Sequence, residues 1–292
     1  MTAHAAGTAG RTPPKWVLSH DHGFHAVARA REMWRYRRLL WFFARYAFKA
    51  LYRRTHLGWM WVPIRSLAPL AVGSVVYGGL MEIPSSGVPY FLMLLVATLA
   101  WNCFDGPWTW GSRGVDMNRR LVTKLYFPRM ILPLASMTPG LAEPGMMLGV
   151  LALTLPYYRV ADGVWYVKFT PQLLLAPAIM AAILLFAFGL ALWTSLWQAR
   201  ARDVRFGIGY LLGFWMYLTP VIYPISQVPE RYRPLMWLNP MAPLVEAFKS
   251  AVFGWEAPPN WAVALSLSTI VLVLATGFWH FHAREAETTD KI

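Results

Sequence analysis

Five stretches of this 292-residue chain contain neither lysine nor arginine, and each is long enough to cross a lipid bilayer. They are residues 66–112, 130–158, 169–199, 206–230 and 250–283. A transmembrane helix needs about 20 mostly apolar residues. The chain is 57% hydrophobic and only 14% charged, so it has too few polar side chains to cover a soluble domain. The sequence therefore predicts an all-α polytopic membrane protein.

The first stretch is too long for one span, and it breaks at a turn-rich segment, residues 82–89. We therefore predict six spans, at about 57–81, 90–112, 130–157, 171–197, 207–224 and 260–282. The predicted organisation has four parts: a cytoplasmic tail (1–33), an amphipathic interface helix (34–56), the six-span domain (57–283) and a cytoplasmic C-terminus (284–292).

The distribution of lysine and arginine predicts the orientation. With both termini in the cytoplasm, the cytoplasmic segments hold 21 of these residues and the external segments hold 5. This asymmetry follows the positive-inside rule. Topology thus accounts for most of the net charge of +13, which does not indicate nucleic-acid binding. The single cysteine, Cys103, excludes a disulfide framework and a cysteine-built metal site.

Residues 34–54 predict a basic amphipathic helix. Placed at intervals of 100°, five basic side chains fall within a sector of about 80°: Arg35, Arg38, Arg45, Lys49 and Arg53. Apolar side chains occupy the other side. Such a helix lies in the cytoplasmic interface of a membrane, with its basic stripe towards anionic head groups or a cytoplasmic partner.

The segment between the fifth and sixth spans, residues 225–259, is too apolar for a solvated loop. Prolines interrupt it repeatedly, so it cannot form one continuous helix. We predict a re-entrant helix pair that dips into the membrane from outside, because protein or a water-filled cavity makes such non-spanning segments tolerable.

The chain has no phosphate-binding loop of the Gly-x-x-x-x-Gly-Lys-Ser/Thr type, and no His-Glu-x-x-His or Gly-x-Ser-x-Gly motif. No catalytic, metal or cofactor site is therefore predicted, and the chain is not expected to be an enzyme. The acids inside the apolar spans are Asp105 and Glu143. They bond to backbone groups freed by nearby proline and glycine, or they carry protons.

Aromatic residues are abundant within the second and fifth predicted spans. Two interpretations stay open: the rings pack against neighbouring helices or lipid, or they line a path on which sugar rings stack. The residues concerned are Trp101, Phe104, Trp108, Phe214, Trp215 and Tyr217.

Three stretches, taken in order, resemble the permease subunit of ABC transporters that export polysaccharides such as O-antigen, teichoic acid and cell-wall galactan. They are Arg-Arg-Thr-His-Leu-Gly-Trp-Met-Trp-Val-Pro (53–63), Asn-Arg-Arg-Leu-Val-Thr-Lys-Leu-Tyr-Phe-Pro-Arg (118–129), and Tyr-Leu-Thr-Pro-Val-Ile-Tyr-Pro (217–224) followed by Leu-Asn-Pro-Met (238–241). The resemblance covers residues 34–283. It departs at His56-Leu57, where the family has smaller or more polar residues.

This resemblance implies an ATP-driven exporter of an undecaprenyl-type lipid-linked polysaccharide in the bacterial cytoplasmic (inner) membrane. The permease would act as a homodimer joined to two copies of a separate ABC ATPase, which would hold ATP and Mg²⁺. Residues 116–127 would form a coupling helix seated on that ATPase, and the re-entrant pair would form an external gate.

The resemblance also suggests residues for each role. The expected ATPase-coupling residues are Asp116, Asn118, Arg119, Arg120 and Lys124. At Arg35, Arg37, Arg38 and Arg54 we expect either the lipid diphosphate or the anionic head groups of the membrane interface. The expected external gate consists of Leu238, Asn239, Pro240, Met241 and Phe248.

Three other functions share parts of this pattern. An ABC permease for a drug or another lipid-like substrate would have the same topology. A proton-coupled secondary transporter would use Asp105 or Glu143, but the chain shows no internal repeat of the kind that such transporters contain. A membrane glycosyltransferase would need clustered acids on a cytoplasmic loop, whereas Asp116 and Asp203 are isolated.

Overall fold

A computed structural model describes residues 34–52, 56–119, 127–201 and 203–290. All regular secondary structure in these ranges is helical, which confirms the predicted all-α class. The α-helices are α1 (Arg37–Tyr52), α2 (Trp61–Gly73), α3 (Tyr90–Ser112), α4 (Gly114–Met117), α5 (Ile131–Ser136), α6 (Ala142–Ala161), α7 (Ala176–Arg200), α8 (Asp203–Tyr217), α9 (Arg233–Trp237), α10 (Met241–Phe253) and α11 (Asn260–Asp290).

Shorter helical turns extend or connect these helices. Two of them, Gly58–Met60 and the π-helix Ser74–Leu80, continue α2 in both directions. The others are the 3₁₀ turns Thr138–Leu141, Pro171–Leu175, Ile225–Gln227 and Glu230–Tyr232.

Three helical stretches of the described chain are long and apolar enough to cross a membrane: Gly58–Leu80, Pro171–Arg200 and Asn260–Arg284. They correspond to the first, fourth and sixth predicted spans. Their length and composition are those of an integral membrane protein. The other three spans stay predictions.

Helix α3 lies at the centre of the fold and packs against α5, α6, α7, α8 and α10. Most of its side chains are buried on every side, as expected for a helix that is apolar all round. Two hydrogen bonds between polar side chains tie it to α7: Trp108 Nε1 donates to Thr194 Oγ1 at 3.2 Å, and Ser112 Oγ donates to Gln198 Oε1 at 2.9 Å.

The third predicted span is not one continuous helix. The chain forms α5, a 3₁₀ turn at Thr138–Leu141, and then α6. At this turn Gly140 rests directly on the backbone of α3 at Gly106. A Cβ atom at Gly106 would lie only 2.5 Å from the carbonyl oxygen of Gly140. The two glycines therefore allow a backbone-to-backbone contact that any side chain would prevent.

The fifth predicted span is also shorter than expected as a helix. Helix α8 ends at Tyr217, and a turn over residues 218–224 follows, containing Pro220 and Pro224. Neither proline can donate a helical hydrogen bond, so the helix does not continue through them.

Helix α1 packs on the rest of the protein through one part of its apolar face. Phe43 and Ala44 are buried against Phe127 and α5. Trp41, Phe42 and Tyr46 remain exposed on the same helix. Helix α1 is thus anchored to the helical domain and still presents aromatic side chains at its surface, as expected for the predicted interface helix.

The Gly106–Gly140 contact predicts a position-specific sensitivity. Gly106→Ala should lower the free energy of unfolding by about 1–3 kcal/mol, because the new methyl group overlaps the backbone of Gly140. Thermal unfolding of the detergent-purified protein measures the change.

Gly149→Ala is the matched control for this substitution. Gly149 lies within α6, and a Cβ atom there would meet nothing within 4 Å. This substitution should stabilise the helix by roughly 0.5–1 kcal/mol. Equal stability of the two variants would show that the glycine contact does not constrain the packing.

Candidate functional site

Residues 225–259, which we call the external segment after their predicted position, are bonded to the turn that follows α8. After the turn at residues 218–224 this segment forms two 3₁₀ turns, the short helix α9 and the longer helix α10. Gly254 ends α10 in the left-handed conformation (φ 69°), which glycine adopts without steric cost. Helix α10 is buried along most of its length and contacts α3, α7 and α11. This burial explains why the segment is so apolar.

The side chain of Asn239 makes four hydrogen bonds, and three of them join the external segment to α8 and the turn that follows it. Its Oδ1 accepts from Trp215 Nε1 at 2.7 Å and from the Met241 backbone N–H at 3.0 Å. Its Nδ2 donates to the Leu218 carbonyl at 3.1 Å and to Thr219 Oγ1 at 2.9 Å. The side-chain amide of the Asn-Pro-Met stretch thus fixes α9 and α10 relative to α8.

A buried ion pair makes a second connection at the same place. The Nζ atom of Lys249 lies 2.6 Å from Glu246 Oε1 and donates to the Pro220 carbonyl at 2.9 Å. Lys249 is fully buried and Glu246 nearly so. Burying charge is costly unless it is paired and hydrogen-bonded. The pair therefore stabilises the position of α10 beside the turn that follows α8.

The expected gate residues occupy different environments. Leu238 is 61% exposed, Asn239 and Pro240 are half-buried, and Met241 and Phe248 are buried. The structure places the first four together beside α8. Met241 and Phe248 both belong to the central hydrophobic core.

Four of the six expected path aromatics meet in one cluster inside the protein. Phe104 lies at its centre, with ring centroids 5.5 Å from Trp101, 5.3 Å from Trp108 and 5.2 Å from Trp215. Trp101, Phe104 and Trp108 are almost completely buried. In this chain these rings pack against one another and hold α3 to α8.

The other two expected path residues belong to an exposed row on α8. Phe214 is 72% exposed and Tyr217 64%. Phe206 and Tyr210 lie on the same side of the helix, and both are exposed. We call these four residues the aromatic ladder. Their spacing of three or four residues puts them on one helical face, yet the sequence analysis identified only the second half of the row.

Asp105 and Glu143 both have partners within the protein. Thr109 Oγ1 donates to Asp105 Oδ1 at 3.2 Å, within the same helix. The carboxylate of Glu143 lies 3.8 Å from the Arg65 guanidinium, the basic residue within the first predicted span. These contacts explain how two acids are accommodated among apolar helices.

The first part of the expected coupling loop is firmly held. Arg119 lies 2.8 Å from Asp116 and donates to the Ala199 carbonyl at 2.6 Å, at the end of α7. Asn118 Nδ2 donates to the Gly114 carbonyl at 2.8 Å. Arg120 and Lys124 lie outside the described residues. The loop thus starts from a fixed point where the ends of α3 and α7 meet.

The expected lipid-diphosphate residues lie at the start of α1. Arg35, Arg37 and Arg38 are exposed, and the guanidinium of Arg37 lies 5.8 Å from the centre of the Trp34 ring. Arg54 lies outside the described residues. Nothing in the described chain brings these arginines together with the aromatic ladder.

Sequence reasoning missed the Glu246–Lys249 pair. The pair could have been predicted from its spacing, because an acid and a base three residues apart on an apolar helix share a helical face.

Comparison with known proteins supplies the family. The ABC-2 type transporter family matches residues 38–253. The chain belongs to the ABC-2 type transporter family. It is 28% identical over 270 residues to the O-antigen export system permease protein RfbA of Myxococcus xanthus, covering 90% of this chain and 98% of that protein. Two O-antigen export system permease proteins RfbA of Klebsiella pneumoniae are each 26% identical, over 217 and 234 residues.

This ABC-2 type transporter is therefore a membrane transport protein and not an enzyme by family. The matched region extends from α1 to the last residue of α10. The aromatic ladder, the described part of the expected coupling loop and the external segment as far as residue 253 thus belong to the family's shared region. The predicted relationship to ABC permeases for polysaccharide export is confirmed.

The buried ion pair predicts an asymmetry between single and double substitutions. Lys249→Met should lower the free energy of unfolding by about 3–5 kcal/mol, because it leaves the Glu246 carboxylate buried without a counter-charge. Adding Glu246→Leu should recover much of this loss, because an apolar pair removes the stranded charge. Thermal unfolding of each purified variant gives the comparison.

Glu230→Gln is the control for the ion-pair variants. Glu230 has the same three-residue spacing to Arg233 in the same external segment, but its side chain is 90% exposed. Solvent screens such a pair, so its removal should change little. A Lys249→Met protein as stable as the wild type would contradict the assigned role of the buried pair.

Proposed function

We propose that this chain is the transmembrane subunit of an ATP-driven exporter that moves a lipid-linked polysaccharide across the bacterial cytoplasmic membrane. The observation that carries the proposal is the nearly end-to-end match to an O-antigen export system permease, over 90% of this chain and 98% of that protein. The chain would act as a homodimer with two copies of a separate ABC ATPase, and both termini would be cytoplasmic.

The aromatic ladder supports a polysaccharide as the transported molecule. Flat aromatic faces provide large contact areas for sugar rings, and their mutual spacing of about one helical turn offers successive contacts along an extended chain. The ladder is not covered by its own protomer. In the proposed homodimer, the two ladders would face the passage between the protomers, while the buried Trp101–Phe104–Trp108 cluster would support them from behind.

The cytoplasmic loop supports the link to an ATPase. Arg119 fixes the start of the loop to the ends of α3 and α7 through Asp116 and Ala199. A push on the loop would therefore reach the central helix directly. In this proposal Asp116, Asn118 and Arg119 brace the coupling helix, and Arg120 and Lys124 contact the ATPase.

The external segment supports a gate at the exit of the passage. It is folded over the outer end of α8, held by Asn239 and Lys249. Because both residues bond to the turn after α8, the re-entrant pair would move together with that end of α8. Leu238, which is exposed, would form the surface that closes the exit.

The exposed arginines of α1 would meet the substrate first. In the proposed orientation Arg35, Arg37, Arg38 and Arg54 lie at the cytoplasmic interface, where a lipid diphosphate travels. Charge-assisted hydrogen bonds to phosphate are among the strongest that proteins make.

The coupling assignment predicts a loss of complex formation without a loss of folding. Reversing the charge of the loop in an Arg120→Glu, Lys124→Glu variant should reduce the amount of ATPase that co-purifies by about tenfold or more, equivalent to about 1.4 kcal/mol of binding free energy. The same reversal at Arg29 and Arg31, in the cytoplasmic tail, should leave the complex intact. Unchanged co-purification of the loop variant would remove the coupling assignment.

The ladder assignment predicts slower export by a folded transporter. Phe214→Ala and Tyr210→Ala remove exposed rings, so protein levels should hold, whereas each lost stacking contact should slow export by roughly twofold to tenfold. The measured quantity is the amount of surface polysaccharide per folded transporter. Cells that lack this chain give the background level.

Phe169→Ala is the matched control for the ladder variants. This ring is 75% exposed, but it lies in the external loop between α6 and α7. Export should not change. Normal export in all three variants would refute the ladder as the path, and surface polysaccharide that persists after deletion of the chain would refute the proposed function itself.

A further inference from the structure

A group of arginines at the cytoplasmic ends of α3, α4 and α8 has too few acids to balance it. Arg113 follows α3, Arg119 follows α4, and Arg205 lies in the first turn of α8. Arg119 and Arg205 line one cavity together with Asp116, which Arg119 already binds at 2.8 Å. Arg113 does not line this cavity, but it lies close enough to Arg205 for the two charges to repel each other. The three arginines and Asp116 together carry a net charge of two positive units.

Arg113 shows the imbalance most clearly. Its Nε atom is buried and donates to no acceptor among the described residues. Burial lowers the pKa of Arg113, and the positive charges of Arg205 and Arg65 lower it further. The guanidinium stacks over the Trp110 ring at 4.9 Å, which orients it without neutralising it. A buried donor without an acceptor costs free energy, and an anion would remove that cost.

A polar cavity of about 620 Å³ lies at this point. Its walls are Asp116, Arg119, Gln198, Arg205 and Phe206. The cavity thus joins the held start of the coupling loop to the first turn of α8.

An apolar cavity of about 550 Å³ lies beside the polar one, between α7 and α8. Trp108 and Trp215 form part of its wall, together with Trp193, Trp197 and Leu211. On both helices, residues that are adjacent in the sequence line the two different cavities. Trp197 lines the apolar cavity and Gln198 the polar one, and Val204 and Arg205 do the same on α8.

We infer that the two cavities form one site for a single-chain lipid diphosphate, with the chain in the apolar cavity and the diphosphate among Arg113, Arg119 and Arg205. A free anion would not occupy the apolar cavity. A water-soluble ligand would leave the tryptophans of that cavity without an apolar contact. A lipid diphosphate also matches the net charge of the arginine group, whereas the phosphodiester of an ordinary phospholipid carries a single negative charge.

The identity of the lipid rests on the proposed function, in which the substrate is carried on a polyprenyl diphosphate. The site differs from the exposed arginines at the start of α1, because residues of α3, α7 and α8 line it. It would hold the lipid chain beside the aromatic ladder, since the first ladder residue, Phe206, also lines the polar cavity.

Glycines on α8 allow a clean test. Gly207 lines the apolar cavity, and a Cβ atom there would meet nothing within 4 Å. Gly207→Leu should therefore fill the cavity without disturbing the fold. Gly209 is equally unobstructed but does not line the cavity, so Gly209→Leu is the same change on the same helix outside the site.

The measurement is the Kd of a radiolabelled long-chain polyprenyl diphosphate for the full-length chain in neutral phosphatidylcholine nanodiscs. Gly207→Leu and Arg205→Gln should each weaken binding by about tenfold, while Gly209→Leu and the external Arg231→Gln should stay within about twofold of the wild type. Size-exclusion chromatography checks that every variant is folded.

A competition assay distinguishes a polyprenyl diphosphate from an ordinary phospholipid and from a free anion as the ligand. Inorganic diphosphate and phosphatidylglycerol should each compete at least about tenfold less well than unlabelled polyprenyl diphosphate. Equal competition by phosphatidylglycerol would make this an ordinary lipid site, and equal competition by inorganic diphosphate would make it an anion site. Full binding by Gly207→Leu would also overturn the inference.

Failure of this site and failure of the proposed function give different results. If wild-type protein does not bind the probe but cells still need the chain to export polysaccharide, the site is wrong and the function stands. If the probe binds as expected but deletion of the chain leaves surface polysaccharide unchanged, the site stands and the proposed function is wrong.

Discussion

The direct contact between the backbones of α3 and the turn at Thr138–Leu141 is the constraint on which the rest of the arrangement depends. Gly106 and Gly140 allow that contact. It draws the α5–α6 connection onto the middle of α3 and leaves the remaining sides of α3 to α7, α8 and α10. In a membrane, apolar burial gives little driving force between helices, so close packing and interhelical hydrogen bonds must supply it. The glycine contact provides the close packing, and the Trp108–Thr194 and Ser112–Gln198 bonds provide the interhelical hydrogen bonds.

Much of the fold follows from apolar length and turn residues. Helix α3 covers the residues of the second predicted span, because 23 mostly apolar residues without lysine or arginine lie between Pro89 and Arg113. The break at Thr138–Leu141 could not be predicted in the same way. Proline and glycine are common in membrane helices that stay intact, and only the contact with Gly106 makes this turn necessary.

The candidate functional residues were likewise predictable only in part. The apolar character and the prolines of the external segment indicated a non-spanning pair of helices. The structure has two helices there, α9 and α10, and their re-entrant position in a membrane stays a prediction. The aromatic residues were harder to assign, because spacing cannot distinguish a ring that faces the protein core from one that faces outward. Trp108 and Phe214 were expected to play the same part, yet the first is buried and the second exposed. The difference depends on which face of each helix its neighbours cover, and one sequence does not contain that information.

Helix α8 links features at opposite ends of the molecule. Its first turn borders the arginine group, its outward face carries the aromatic ladder, and its last residues are bonded to Asn239 and Lys249 through the following turn. Its 15 residues make a rod about 22 Å long. A tilt of roughly 10° about the first turn of α8 would move its last residues by about 4 Å. Because the external segment is bonded to the turn that follows, a small rotation at one end of α8 becomes a larger displacement of that segment at the other end.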